Sequence, residues 1–260
     1  MPGTALITGA STGIGAVYAD RLARRGHDLV LVARDAARLD CLAETLRAAA
    51  GVRVEVLPAD LSDPAAIATV EARLAGDDVT MLVNNAGLAV PGPLAIMAPE
   101  QLIAMLEVNI VTAARLARAV LPGQLARGTG TIINIGSVAG LTGPQASISI
   151  GYSASKAFIL AFSEGLAGEI DGRGVRVQAV LPGPVRTPIW GKSGLDVDQL
   201  IPDGVMEAGV LVDAALRGLD NGETVTIPTL PDVAGWTAFT DARAAMAPGF
   251  RGSVPAARYA

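Results

Sequence analysis

The chain has 260 residues, 51% hydrophobic and 17% charged, enough apolar mass for one large core and too apolar for a disordered chain. Twenty basic against 25 acidic residues leave a formal charge of −5, and with no Lys/Arg run this excludes nucleic acid and anionic membrane as electrostatic partners. One cysteine, Cys41, and one histidine, His27, exclude an internal disulfide and a His/Cys metal cluster, so metal catalysis is not expected.

In chain order, an apolar strand at Thr4–Thr8 runs through a glycine cluster into a helix over Val17–Arg25. A strand at Asp28–Ala33, a helix at Asp35–Ala50, a strand at Val52–Leu57, a helix at Asp63–Ala75 and a strand at Val79–Val83 follow. The second half reads as helix Pro99–Arg127, strand Thr131–Ile135, helix Tyr152–Gly172, strand Val175–Leu181 and a last strand at Thr224–Ile227. Seven apolar strands alternating with helices predict an α/β fold: a Rossmann-like doubly wound parallel sheet with helices on both faces. One domain over residues 1–260 is expected, with 231–260 as a C-terminal arm of weak periodicity.

Two uncharged stretches, Val79–Pro99 and Gly128–Ser155, are long enough to span a bilayer. Asn84, Asn85, Pro91 and Pro93 break the first, and Gly136, Gly140, Gly143 and Pro144 the second, so both are read as strands running into loops. Only Met1 to Gly3 precede the first apolar run. No charged leader is read there, and a cytoplasmic location is expected. His27 is expected at the surface.

Between the first strand and helix stands Thr8-Gly9-Ala10-Ser11-Thr12-Gly13-Ile14-Gly15. Glycines there let the backbone approach a pyrophosphate at a helix N-terminus, so a dinucleotide is the first ligand to consider. The same glycines also serve a tight turn without a ligand.

Further marks stand in order: Asp60-Leu61 after the third strand, Asn84-Asn85-Ala86-Gly87 after the fourth, Asn109 on the next helix, Ser137 after the fifth strand, Tyr152-x-x-x-Lys156, and Pro182-Gly183-Pro184-Val185-Arg186-Thr187 after the sixth. With the Thr-Gly-x-x-x-Gly-x-Gly turn, they make the chain resemble the short-chain dehydrogenase/reductase family over about residues 4–228. The resemblance implies an oxidoreductase that interconverts a carbonyl and an alcohol by hydride transfer. It implies that Gly9, Ser11, Thr12, Gly13, Ile14 and Gly15 cradle the cofactor, that Asp60 and Leu61 meet the adenine, and that Asn85, Ala86 and Gly87 line the adenine-ribose side. Pro182, Gly183, Val185 and Thr187 are expected to hold the nicotinamide end. Asp60 also reads as a helix-start residue, and the Asn-Gly turn is common without a ligand.

Arg34 stands where NAD-preferring relatives carry an acid for the ribose hydroxyls, and Arg38 follows four residues on. Forked guanidinium donors suit a 2′-phosphate, so NADP(H) is the expected cofactor. The alternative is that Asp35 swings in, or that both arginines are simply solvated.

Tyr152 and Lys156, at i and i+4, share a helix face. Tyr152 is expected to pass the proton, Lys156 to lower the phenol's pKa and hold the nicotinamide ribose, and Ser137 to orient the substrate oxygen. Asn109 would fix a water that links Lys156 to solvent, or simply bond neighbouring backbone. Ser137 and Tyr152 stand fifteen positions apart, about two more than the family usually spaces them, and Ser147 or Ser149 could touch substrate instead.

Residues 188–210, with Ile189, Trp190, Leu195, Val197, Leu200 and Ile201, read as a mobile lid favouring an apolar substrate. Gly222-Glu-Thr-Val-Thr-Ile-Pro228 lacks the Asp-Gly-Gly ending of tetrameric relatives. A homodimer or homotetramer through the helices of Asn109 and Tyr152 is expected. The competing readings are a non-catalytic NADP-binding sensor or scaffold, and a dehydratase or epimerase of the same fold.

Overall fold

Alternation of apolar residues along the strands decides the architecture. In the computed structural model, which describes residues 2–142 and 148–259, Ala5 and Ile7 of β1 (Thr4–Thr8) point to one face of the sheet and Leu6 to the other. The same happens in β2 (Asp28–Ala33), where Leu29 and Leu31 part from Val30 and Val32. A strand buried on both faces reads as a continuous apolar run because successive side chains enter opposite cores.

The chain divides into two compact units, Met1–Pro228 and Thr229–Ala260. In the first, a seven-stranded sheet has the order β3-β2-β1-β4-β5-β6-β9. Its other strands are β3 (Val54–Pro58), β4 (Val79–Asn84), β5 (Gly130–Ile135), β6 (Val175–Val180) and β9 (Val225–Thr226). Every pairing in it is parallel. Helices α1 (Gly13–Arg24), α2 (Ala36–Ala50) and α9 (Ala208–Asp220) cover one face. The other is covered by α3 (Pro64–Leu74), α5 (Ala113–Arg127) and α6 (Ile150–Glu169).

Helix starts follow short polar side chains. Asp35 accepts from the Arg38 amide at the start of α2, Asp63 from that of Ala65 at α3, and Ser149 from that of Tyr152 at α6. At α1 the cap position is Thr12, whose side chain makes no capping bond. That leaves first-turn amides facing the cleft described below.

The expected helix Pro99–Arg127 is three segments: α4 (Pro99–Leu106), a π-helical stretch Glu107–Thr112, and α5. Such an i→i+5 insertion is uncommon and turns side chains off the regular 3.6-residue face. The first bilayer-length stretch contains β4 and the second contains β5 and the start of α6, and among the described residues no helix is long and apolar enough to cross a membrane. His27 departs from the expectation of a surface residue: it is half-buried, its Nδ1 3.0 Å from the Gly3 carbonyl.

Residues 188–210 contain α7 (Ile189–Lys192), α8 (Val197–Leu200) and β8 (Met206–Glu207), which pairs in parallel with β7 (Val185–Arg186) to close the base of the loop. The second unit holds α10 (Ala234–Met246), with the Trp236 and Phe239 rings 5.5 Å apart and none of the helix's residues buried.

Leu6 lies at the centre of the sheet, fully buried. Leu6→Ala is expected to cost about 2–5 kcal/mol of unfolding free energy in a urea titration without changing the far-UV spectrum.

Candidate functional site

The strand order reverses between β1 and β4: β1 pairs with β2 on one side and β4 on the other. The crevice beyond their carboxyl ends is the expected ligand position in such a sheet. A cleft of ≈ 870 Å³ lies there, lined by the glycine turn, Arg34, Asp60, Gly87, Ser137, Tyr152, Lys156 and Thr187, among others.

The turn is built by close approach. Gly9 and Gly13 have φ of +65° and +57°, which disfavours other residues. A Cβ on Gly15 would collide with the Gly9 carbonyl and the Asn85 amide. Asn85 Nδ2 donates to the Thr8 carbonyl at 2.9 Å, and the Asn85 and Ala86 amides donate to Thr8 Oγ1 at 3.0 Å each. Asn85, which lines the cleft, therefore also ties β4 to the turn after β1.

At the far end, Asp60 Oδ1 accepts from the Ser62 amide and hydroxyl at 3.0 and 2.7 Å. These bonds hold its carboxyl below the usual range, with Arg34 adding to the effect. Asp60 thus serves the local turn while facing the cleft. Arg34 Nη1 lies 3.9 Å from Asp60 Oδ2, its side chain 64% exposed. Asp35 also lines the cleft, where it caps α2 and sits 3.1 Å from Arg38 Nε.

At the other end, Lys156 is buried on α6, and its Nζ donates to the Ile135 carbonyl at 2.9 Å. Burial without a paired carboxylate lowers its pKa to about 8. Tyr152 moves the other way. Burial raises its pKa, and the neighbouring Ser137 hydroxyl opposes the rise. The Lys156 ammonium lies 5.7 Å from the Tyr152 ring centroid, with the Ile135 carbonyl as its protein acceptor. Ser137 Oγ also accepts from the Ala139 amide at 3.1 Å and donates to the Pro182 carbonyl at 3.4 Å.

Nearly all the expected residues line the cleft: Gly9, Ser11, Thr12, Gly13, Ile14, Arg34, Arg38, Asp60, Leu61, Asn85, Ala86, Gly87, Ser137, Tyr152, Lys156, Pro182, Gly183, Val185 and Thr187. Gly15 and Asn109 stand behind that lining. In the π-helical stretch, Asn109 accepts from the Leu88 amide at 2.8 Å and donates to the Leu88 carbonyl at 2.9 Å and to Ser155 Oγ at 3.0 Å. Its side chain thus ties the loop after β4 to a hydroxyl of α6. Ser149 is the buried cap of α6 rather than a cleft residue, and Ser147 lies outside the described residues.

Of the expected lid residues, Ile189 and Trp190 line the cleft, whereas Val197 is buried and Leu200 largely exposed. Leu88, Ala89, Val90 and Ser193 were not singled out in the sequence yet line it. The apolar triplet between Gly87 and Pro91 was the available signal; Ser193 had none.

Known proteins agree with this geometry. The short chain dehydrogenase family model matches residues 3–198. The chain belongs to the short-chain dehydrogenase family. A short-chain dehydrogenase from Sphingobium yanoikuyae, solved in complex with NADPH, is 49% identical, with 99% of this chain and 100% of that one covered and a TM-score of 0.96. The bulky-bulky ketone specific alcohol dehydrogenase from Comamonas testosteroni is 41% identical over 99% and 98% of the two chains, TM-score 0.90. Very-long-chain 3-oxoacyl-CoA reductase-A of Danio rerio is 38% identical over 222 residues, 84% of this chain and 69% of that protein.

As a member of this family the protein is an oxidoreductase that works with an NAD(P)-type cofactor. The residues present fit such a group. The uncapped first turn of α1 offers amides to a pyrophosphate, and Lys156 is a buried cation aimed at the cleft with a carbonyl as its protein acceptor. The Lys156 ammonium is present below pH of about 8 and lost above it. NAD(P)H affinity is accordingly expected to fall as pH rises from 8 to 9.5 and to stay flat over that interval in Lys156→Gln, read by fluorescence titration.

Proposed function

We propose that the protein is an NADP(H)-dependent reductase and dehydrogenase that interconverts an apolar ketone or aldehyde and its alcohol. The observation that carries this reading is that Ser137 and Tyr152 line one cleft, with the Ser137 hydroxyl acting on the phenol, in the company of the apolar side chains of Leu88, Val90, Ile189 and Trp190. Two hydroxyls converging on one point suit a carbonyl oxygen, and the apolar surroundings suit an uncharged flank on each side.

A reduced nicotinamide bound at this end of the cleft supplies the hydride. Ser137 holds the carbonyl oxygen and donates to it as negative charge develops. The Tyr152 O–H bond breaks and its proton passes to that oxygen, completing the alcohol; in oxidation the phenolate takes the alcohol proton back. A phenol whose pKa is raised stays protonated across neutral pH, which suits the donor of the reductive direction. Lys156 would hold the nicotinamide ribose, and Val185 and Thr187 the nicotinamide end. Asn109 acts at one remove, holding Leu88 and, through Ser155, the first turn of α6.

The preference for NADP(H) rests on the far end. Arg34 is exposed, and its pairing with Asp60 is long. An exposed pair of this kind contributes only about 0–1 kcal/mol, little against a doubly charged phosphate. The Asp35 carboxylate, which would otherwise take the ribose hydroxyls, is held as the cap of α2. The NADPH complex of the Sphingobium relative and the ketone named for the Comamonas relative support the same reading.

Two variants test it. Tyr152→Phe is expected to lower kcat on any accepted ketone by about 10²–10⁴-fold while leaving NADPH affinity within a few-fold of wild type. Retention of wild-type turnover would remove Tyr152 as the proton donor. Arg34→Asp is expected to shift the NADPH/NADH ratio of kcat/KM at least about tenfold toward NADH, the loss of one charge-assisted phosphate contact. Tight cofactor binding with no carbonyl reduced by wild type would favour the sensor. A product that is neither alcohol nor carbonyl would favour the dehydratase or epimerase.

A further inference from the structure

We infer that Ser193 is a latch that sets the width of the substrate chamber. This positioning role rests on the carbonyl reading above. One wall of the chamber is α7, through Ile189 and Trp190; the other is the loop after β4, through Leu88, Ala89 and Val90. Among the described residues, the side-chain hydrogen bond that joins these walls is Ser193 Oγ donating to the Ala89 carbonyl at 2.8 Å, across 104 positions of sequence.

The same Oγ lies 2.9 Å from the Ile189 carbonyl, in its own helix turn. A serine hydroxyl carries a single proton and donates to one acceptor at a time. The Ile189 acceptor travels with Ser193, whereas the Ala89 acceptor belongs to the opposite wall. When the walls part, the proton turns to Ile189 and no donor is stranded. Release therefore costs an exchanged hydrogen bond, not an unsatisfied group. A leucine or alanine here would leave the walls untied, and a longer polar side chain would fill the chamber it closes.

The two walls are unequally held, which decides which one moves. Leu88 has both its amide and its carbonyl bonded to the buried Asn109 side chain at 2.8 and 2.9 Å, and the Gly92 amide donates to the Ile148 carbonyl at 3.0 Å. Ala89, between them, is the fixed post. The four-residue α7 is too short to hold itself together, and Ser193 behind it is followed by Gly194, whose φ of +71° allows a sharp turn. It is anchored at its base by Trp190 Nε1 donating to the Val185 carbonyl at 2.8 Å, and behind that by Arg186 bridging Asp198 and Glu207. Ser193 is thus the tie at the free end of a wall hinged at Val185.

With the tie made, the chamber is narrow and favours a compact ketone; with it broken, α7 yields to a bulkier one. The test compares full-length wild type, Ser193→Ala and Ser193→Thr by two independent readouts. By hydrogen exchange, amides of residues 189–195 are expected to exchange about three- to tenfold faster in Ser193→Ala, those of 88–92 to be unchanged, and Ser193→Thr to lie within about twofold of wild type. With NADPH, the ratio of kcat/KM for 1-phenylhexan-1-one over acetophenone is expected to rise at least about threefold in Ser193→Ala, through KM rather than kcat, and to return in Ser193→Thr. Unchanged exchange in 189–195, or an unchanged ratio, overturns the latch, as does a threonine variant that behaves like alanine. If the exchange result holds but wild type reduces neither ketone with NADPH or NADH, what fails is the carbonyl reading and with it the chamber-width role, while the tie between the walls stands.

Discussion

Thr8 and Asn85 form the tie on which the rest of the site depends. Thr8 Oγ1 donates to the Val83 carbonyl at 3.3 Å and accepts the Asn85 and Ala86 amides, while the Asn85 side chain returns to the Thr8 and Gly9 carbonyls. At this point the strand order reverses, helices leave in opposite directions, and the sheet alone provides no partner for the backbone groups beyond the last rungs. Side chains supply those partners, and a buried backbone group left unpaired would cost as much as a lost hydrogen bond. The crevice is open because its rim is bonded to itself. Gly9 and Gly15 then let turn and helix approach within contact of that knot.

A second polar framework runs beneath the catalytic end. Asn84 donates to Asn134 at 2.9 Å, and Asn134 to Ser163 at 2.9 Å, stitching β4, β5 and α6 together inside the core. Asn109 bonds Leu88 on one side and Ser155 on the other, and Ser155 donates to the Tyr152 carbonyl at 2.7 Å. The π-helical stretch is what points Asn109 inward. Local irregularity of this kind, with the Asn109 and Ser155 side chains bonded on both sides, positions the helix that bears Tyr152 and Lys156 more firmly than apolar packing alone, because hydrogen bonds are directional.

Much of this was legible in the sequence. Strand positions and the parallel sheet followed from apolar runs, and most residues lining the cleft from the resemblance to the short-chain dehydrogenase/reductase family. What stayed hidden was set by interactions without a sequence period. The π-helical insertion at Glu107–Thr112 looks like ordinary helix, since each of its residues tolerates either hydrogen-bond pattern. The double duty of Asn85 and Asp60, each facing the cleft while bonded to its own loop, depends on which backbone groups the fold leaves unpaired. The lid's apolar residues were read as one surface. The chain instead sends Val197 inward, leaves Leu200 outward, and gives only Ile189 and Trp190 of that set to the cleft, a division that depends on the β7–β8 pairing at the base of the loop.

The electrostatics of the catalytic end follow from the same burial. Desolvation disfavours whichever form is charged, so it pushes the phenol of Tyr152 up and the ammonium of Lys156 down. Both groups are thereby biased toward neutrality, in a cleft whose chemistry requires charge to appear and vanish. Each of the two has a counterweight suited to its task. The Ser137 hydroxyl opposes the rise at the phenol, and the Ile135 carbonyl accepts from the ammonium without adding a charge beside it. A carboxylate there would have held Lys156 charged at all working pH but would also have repelled the phenolate of Tyr152 and the phosphates of a dinucleotide. A carbonyl partner leaves the cation available, which is why the end of β5, rather than an acidic side chain, stands beside it.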